Sequence, residues 1–337
     1  MLLKAAELHL LRHIVLSGHA GRNCDSAMKV ISLFSGAGGL DLGIIRGGNK
    51  VVWANDFDEN ACATYRRNIG DHIVQGDIKD IDVGSIPDAD VVIGGFPCQG
   101  FSMANQLRSV DDSRNKLYRF FYDVIKEKQP KFFIAENVKG ILSLGGGKII
   151  EKIVKDFARA GYKVERRLVN MADYGVPQTR QRVIIVGQRI DLANDFIFKF
   201  PEPRYGIKNG LPRWRSVREA IEHFPDPDTP NDVPNHVYSA YKVKFRNFTG
   251  HRQTDPDKPC PTILARGNGG GGVCAIPHYN GKRRMTIRES AAVQTFPDDF
   301  VFVGRNNACY RQIGNAVPVL YAELLGKELR RLEKEGW

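Results

Sequence analysis

None of the six cysteines in this 337-residue chain belongs to a Cys-x-x-Cys pair; they stand far apart, at positions 24, 62, 98, 260, 274 and 309. That scatter excludes a thiolate-rich structural zinc site and offers no disulfide framework. A reducing, intracellular setting is therefore expected. Uninterrupted apolar runs of membrane-spanning length are missing too. The nearest approach is Leu2–Leu16, which Lys4, Glu7, His9, Arg12 and His13 interrupt, so a secretory signal is excluded. Residues 1–28 are expected to be an N-terminal extension, with Met28 a candidate start. Internal repeats and low-complexity tails are also lacking. Acidic residues are the scarcer charge: 38 Asp and Glu face 49 Lys and Arg, a net charge of +11. A polyanionic partner such as nucleic acid fits that excess, and so does a basic, solubilising surface. The excess is local, however. Between Tyr238 and Arg288 ten basic residues face only Asp255 and Asp257.

What is present from Lys29 onward is alternation. Apolar runs at Val30–Phe34, Lys50–Asn55, His72–Gln75, Ala89–Ile93, Lys131–Ala135 and Val183–Val186 read as strands. Between them Leu40–Arg46, Glu59–Asn68 (with Asp58 as N-cap) and Leu117–Lys128 carry helical spacing. Strands alternating with helices predict an α/β fold with a doubly wound, mostly parallel sheet. The texture then changes. Seven of the seventeen prolines fall within residues 201–234, and Gly267–Gly272 holds five glycines in six positions. Such punctuation predicts a smaller irregular domain over 191–284. Helical patterning resumes at Thr286–Gln294 and Ala316–Lys334, so residues 29–190 and 285–337 are expected to form one discontinuous domain.

The first strand runs into Phe34-Ser35-Gly36-Ala37-Gly38-Gly39. Glycines between a strand and a helix let a ligand approach the backbone at the helix's positive end. A dinucleotide cradle needs glycine at position 41, where Asp41 stands and reads as a solvated helix residue. Asp56 closes the second strand, where a carboxylate can accept from ribose hydroxyls, and Asp77 closes the third, within reach of an adenine amino group. A nucleoside without pyrophosphate points to S-adenosylmethionine. The fourth strand ends in Gly94-Gly95-Phe96-Pro97-Cys98-Gln99-Gly100-Phe101-Ser102, a turn carrying one thiol. A free cysteine is commonly a small hydrophobe; a nucleophile is the alternative. Glu136-Asn137 lies at the end of the fifth strand, the edge where open α/β sheets bind ligands. Gln178, Arg180 and Arg182 alternate on one extended segment and share a face.

Taken in order, these motifs resemble the DNA cytosine-5 methyltransferase family. The resemblance rests on Leu33–Gly39, Gly95-Phe96-Pro97-Cys98-Gln99, Glu136-Asn137-Val138, Gln178-x-Arg180-x-Arg182, Arg288-Glu289-Ser290 and Gln312–Val317. Ser32 and Ser35 depart from the acidic residue and the alanine common there. The family implies S-adenosylmethionine as cofactor, no metal, and an S-adenosylmethionine-dependent, Rossmann-like catalytic domain. It implies Cys98 as nucleophile on cytosine carbon 6, Glu136 holding a proton against the ring N3, Arg182 on the ring O2, Arg180 in the same catalytic group, and Asn137 orienting the turn. Phe34, Gly36, Gly38, Gly39, Asp56, Phe57, Asp77, Ile78, Pro97, Leu117 and Asn315 would surround the cofactor. Gln99 and Ser102 would face DNA, and 191–284 would be the target-recognition domain, with Arg246, His251, Arg252 and Arg266 touching bases or phosphates.

The implied protein is a bacterial, cytoplasmic, monomeric enzyme that lies on the nucleoid through its DNA and is paired with a restriction endonuclease. Double-stranded DNA is its expected partner. Two rivals remain: a tRNA cytosine-5 methyltransferase of the same fold and a non-catalytic DNA-binding regulator. Pro-Pro-Cys and Cys-Phe-Thr, the marks of the tRNA branch, are missing; intact Cys98, Glu136 and Arg182 speak against the regulator.

Overall fold

The computed structural model describes residues 27–96, 117–206, 210–240, 243, 253–265 and 276–336. The expected positions Pro97, Cys98, Gln99, Ser102, Arg246, His251, Arg252 and Arg266 lie outside the described residues.

Seven strands form one sheet: β1 (Lys29–Leu33), β2 (Lys50–Asp56), β3 (Ile73–Gln75), β4 (Val91–Gly94), β5 (Phe132–Val138), β6 (Tyr162–Asn170) and β8 (Gln181–Arg189). Their spatial order is β3-β2-β1-β4-β5-β8-β6. The first five pair in parallel, and β8 runs antiparallel between β5 and β6. The strand order reverses between β1 and β4, the switch point at which such sheets open a crevice. Central strands are covered on both faces, so β4 is buried throughout and reads as an unbroken apolar run. Two short strands, β7 (Gln178–Thr179) and β9 (Cys260–Pro261), form a separate parallel pair.

Helices α1 (Gly39–Arg46), α2 (Glu59–Asn68), α3 (Leu117–Lys128), α4 (Lys148–Arg159) and α8 (Val319–Glu335) flank the sheet, while α5 (Val217–Ile221), α6 (Ile287–Val293) and α7 (Asn306–Asn315) pack beside it. Asp58 caps α2, accepting from the Ala61 N–H, as the sequence predicts. Thr286 and Glu289 form a capping box on α6. The last helix begins after Pro318, whose ring suits a helix start and no interior position. It crosses α1 with the backbones nearly touching: a methyl group on Gly47 would lie 2.5 Å from Gly326.

Several regular elements escape the sequence patterns, among them β6, α4, α5, α7 and β9. Strand β6 is an edge strand whose middle, Glu165–Leu168, faces solvent, so its charged residues mask the apolar signal. Helix α4 follows directly on three glycines, and α7 starts after Arg305 with no side-chain cap to mark it. The change of texture at 191 is no change of packing, because Phe198 and Phe200 join the core formed by Val30, Phe132 and Ile184. A second core binds Val217, Ile221, Cys260 and Ile276 to Phe296, Tyr310 and Val319, so the described part of 191–284 shares its interior with the final helices.

Asp41 is a correction. It is fully buried, not solvated, and accepts from Ser32 Oγ at 3.0 Å and Tyr65 Oη at 2.9 Å. Burial pushes its carboxyl up to about 7, against the pull of the two hydroxyls. Ser35 Oγ in turn donates to Ser32 Oγ, tying the glycine turn to this buried acid.

Candidate active site at the carboxyl edge of the sheet

The carboxyl ends of β1, β2, β4, β5 and β8's opposing start meet along one edge. Phe34, just past β1, adopts φ 57, and Gly36 and Gly38 follow at φ 56 and 84. Left-handed backbone is unfavourable for a phenylalanine and easy for glycine. The three glycines differ in what they permit. A methyl group on Gly36 would meet nothing within 4 Å, so this glycine faces open space. On Gly38 it would strike Ile69 at 2.2 Å, and on Gly39 the Val317 carbonyl at 2.6 Å. Gly38 and Gly39 therefore serve packing, and Gly36 shapes the cradle.

Asp56 stands at the end of β2, partly buried. One carboxylate oxygen accepts from the Gly36 N–H and the other from the Asp58 N–H, both at 2.8 Å. Those bonds fix the side chain over the turn while lone pairs stay open to a ligand. Burial nonetheless raises its pKa. Phe57 beside it is 72% exposed, an unusual position for a large ring and a ready stacking platform. At the end of β3, Asp77 accepts from the Lys79 N–H and pairs with Lys79 Nζ at 3.1 Å; these interactions hold its carboxyl below the usual range despite some burial. Ile78 is buried, Leu117 begins α3 against the core, and Asn315 is exposed at the end of α7.

The second half of the site lies where β4, β5 and β8 adjoin. Glu136 on β5 is 9% exposed, and its Oε1 is 2.7 Å from Arg182 Nε on β8. That oxygen has no aligned hydrogen-bond donor among the described residues, so the contact joins charges without satisfying the lone pairs. The other oxygen, Oε2, lies where a methyl group on Gly95 would come within 3.3 Å. Asn137 Nδ2 donates to the Phe96 carbonyl at 3.0 Å, while its Oδ1 accepts from the Val138 N–H. Glu136 and Asn137 thus both address the turn leading to Cys98.

Arg180 sits elsewhere. It is 1% exposed and donates to the carbonyls of Ile263 and Gly314 at 3.1 and 3.0 Å. Burial and the neighbouring Arg182 bring its pKa down to about 9, which leaves it charged at neutral pH. Gln178 converges on the same place, accepting from the Ile263 N–H and donating to Gln294, whose amide reaches the Ile313 carbonyl. Arg180 therefore anchors the end of α7 near Asn315 through these carbonyls, while the charges of Arg182 and Glu136 still act on it. Gln294 completes this knot, and the sequence patterns gave it no role.

The three described cysteines, Cys62, Cys260 and Cys309, are all buried. Burial pushes the Cys62 and Cys309 thiols up to about 11 and Cys260 further still, so all three are inert packing. No group of three or more potential metal ligands occurs among the described residues. No described helix is long and apolar enough to cross a membrane.

An α/β sheet of this order, with a glycine turn at the end of its first strand and a buried carboxylate–arginine pair on the same edge, matches the fold of the cytosine-5 methyltransferases. A family model for C-5 cytosine-specific DNA methylase matches residues 28–331, and the chain belongs to that family. Type II methyltransferase M.NgoFVII of Neisseria gonorrhoeae is 41% identical over 86% of this chain and 83% of its own. Type II methyltransferase M.MthTI of Methanothermobacter thermautotrophicus is 37% identical over 90% of this chain and 97% of its own. Among solved structures, a prophage-encoded E. coli protein described as a DNA modification methyltransferase superposes with a TM-score of 0.73 at 28% identity, covering 91% of this chain and 99% of that one. The S. pombe Dnmt2 methyltransferase shares the fold, with a TM-score of 0.67 at 20% identity over 92% of this chain and 100% of that one.

Proposed function

We propose that the protein methylates carbon 5 of a cytosine flipped out of a specific double-stranded DNA sequence, with S-adenosylmethionine as methyl donor. The observation that carries this reading is the buried Glu136 oxygen to which no described residue donates a hydrogen bond, held against Arg182 and beside the turn that leads to Cys98. A cytosine ring offers what that pair lacks: a nitrogen, N3, to exchange a proton with Glu136, and an oxygen, O2, to accept from Arg182. The cofactor fits the open space at Gly36, the anchored Asp56 and the exposed Phe57 ring. When bound there, S-adenosylmethionine supplies an electrophilic methyl group.

Carbon 5 of cytosine is too weak a nucleophile to react unaided. The Cys98 thiolate adds to carbon 6, and the ring's electrons move toward carbon 5 and N3. Glu136 supplies the N3 proton and Arg182 balances charge at O2, in a site shielded from water. Once carbon 5 carries the methyl group and S-adenosylhomocysteine is left behind, solvent takes the carbon-5 proton, the N3 proton returns to Glu136 and the Cys98 sulfur departs as thiolate, restoring the aromatic ring. Asn137 keeps the Phe96 carbonyl, and so the turn carrying Cys98, in place. Arg180 acts at a distance, as a positioning residue. Extrusion of the base from its stack costs a few kcal/mol; Gln99 and Ser102 are suited to the vacated space. Residues 191–284, with Arg246, His251, Arg252 and Arg266, would read the target, and the methyl mark would shield host DNA from a cognate endonuclease.

A duplex carrying 5-fluorocytosine tests this directly, since fluorine cannot leave as a proton and the adduct persists. In the presence of cofactor the wild type should form a covalent complex stable to denaturation, and Cys98→Ala should form none. A wild type that never forms the complex at any target, identified by methylation-sensitive sequencing of host DNA, would refute the proposal.

A further inference from the structure

Helix α4 carries Lys148, Lys152, Lys155 and Arg159 at intervals of four, three and four residues, a spacing that places all four on one face. Its opposite face buries Ile150, Ile153 and Phe157 in the core. At 1.5 Å per residue the stripe is about 16 Å long. Arg119 from α3 and Arg166 from β6 border the same open groove, whose volume is about 950 Å³. Two carboxylates also line it. Asp156 is engaged by Lys152 at 2.9 Å and Arg159 at 3.4 Å, and Glu151 by Arg166 at 2.6 Å. Among the described residues, Arg119, Lys148 and Lys155 have no carboxylate within ion-pair distance, so the groove keeps a positive surplus.

Placement gives that surplus a direction. Lys148 stands at the carboxyl edge of the sheet, ten residues beyond the end of β5 and its Glu136. Arg119 lies two residues after the start of α3, the helix that follows the segment containing Cys98 and Ser102. The groove end between them is formed by Gly146 and Gly147, bare backbone in the left-handed region, and nothing lies within 4 Å of a methyl group placed on Gly146. From that edge the stripe runs down the flank of the molecule, away from the pocket.

We propose that this groove binds the sugar–phosphate backbone of DNA flanking the target site, so that a long duplex is held on the flank of the catalytic domain as well as at the pocket. Each strand carries one phosphate per 3.4 Å of duplex axis, so a 16 Å stripe covers the axial rise of about five of them. Contacts of this kind carry no sequence information and add affinity and register. The inference rests on the proposed DNA substrate and concerns a surface remote from the chemistry.

The test compares one target sequence in duplexes of about 14 and about 40 base pairs, with each replaced phosphate contact changing the salt slope by about 0.9. The wild type should bind the long duplex at least tenfold more tightly, and Lys148→Gln/Lys155→Gln/Arg159→Gln should lose that preference. The variant's salt slope on the long duplex should fall by about two to three, with methylation of the short duplex unchanged. A variant that keeps both the length preference and the slope would overturn the inference, as would a wild type indifferent to length. Lys148→Gln/Lys155→Gln, which spares the Arg159–Asp156 pair, serves if the triple variant does not fold. Wild type that leaves the short duplex unmethylated under every condition would instead refute the DNA reading itself.

Discussion

Arg182 Nε stands 2.7 Å from Glu136 Oε1, yet no described donor is aimed at that buried oxygen. An oxygen left so is costly to the folded protein, commonly by about 1–3 kcal/mol, and such groups concentrate where a ligand completes them. Glu136→Gln keeps the shape and removes the exchangeable acid proton. Methyl transfer should fall at least about 100-fold, while cofactor affinity measured by calorimetry stays within about twofold. An active Gln variant would show that N3 needs no acid here.

Asn137 should separate turn geometry from chemistry. Its loss in Asn137→Ala leaves the Phe96 carbonyl without its donor, at a cost of about 1 kcal/mol in stability. The rate of adduct formation with 5-fluorocytosine DNA should drop more than the melting temperature would suggest. Equal loss in Asn137→Asp, which cannot donate, would support the hydrogen bond as the cause.

The glycines of the first turn predict opposite phenotypes. Gly36→Ala meets only the strain of φ 56, about 1 kcal/mol, so it should fold and lose cofactor affinity. Gly39→Ala drives a methyl group to 2.6 Å from the Val317 carbonyl and should destabilise the fold by about 1–3 kcal/mol. Asp56→Ala should weaken cofactor binding without that loss. Calorimetric affinity and denaturant midpoints separate the cases.

Asp41 makes stability depend on pH. Its carboxyl is held near 7 in the folded protein, against 3.8 for the ordinary group. Between those values the folded chain binds a proton that the unfolded chain does not, so this group's contribution is full below 3.8 and declines until about 7. Asp41→Asn should remove that decline. The variant's stability relative to wild type should rise from pH 4 to pH 7, by at most about 4 kcal/mol, then level off. Urea denaturation across this range reads it; a constant difference would place the charge of Asp41 outside the linkage.

The sequence alone was enough for the alternation of strands and helices, because central strands buried on both faces must be apolar throughout and helices must carry one apolar stripe. It also exposed the order of motifs: a glycine turn, a thiol turn, Glu136-Asn137 and the paired arginines. Local chemistry explains this, since turns need glycine and proline and a nucleophile needs a thiol whatever surrounds it. Three-dimensional proximity was not legible. Asp41 lies next to Leu40 and Leu42 in a helix, and only the approach of Ser32 and Tyr65 makes it a buried acid. Arg180 and Arg182 look equivalent two residues apart; the register of β8 sends one to Glu136 and the fold sends the other to Ile263 and Gly314. Gly36, Gly38 and Gly39 are alike as residues and differ only in what stands beside them. Composition and spacing record what each residue can do, and long-range packing decides which partner it meets.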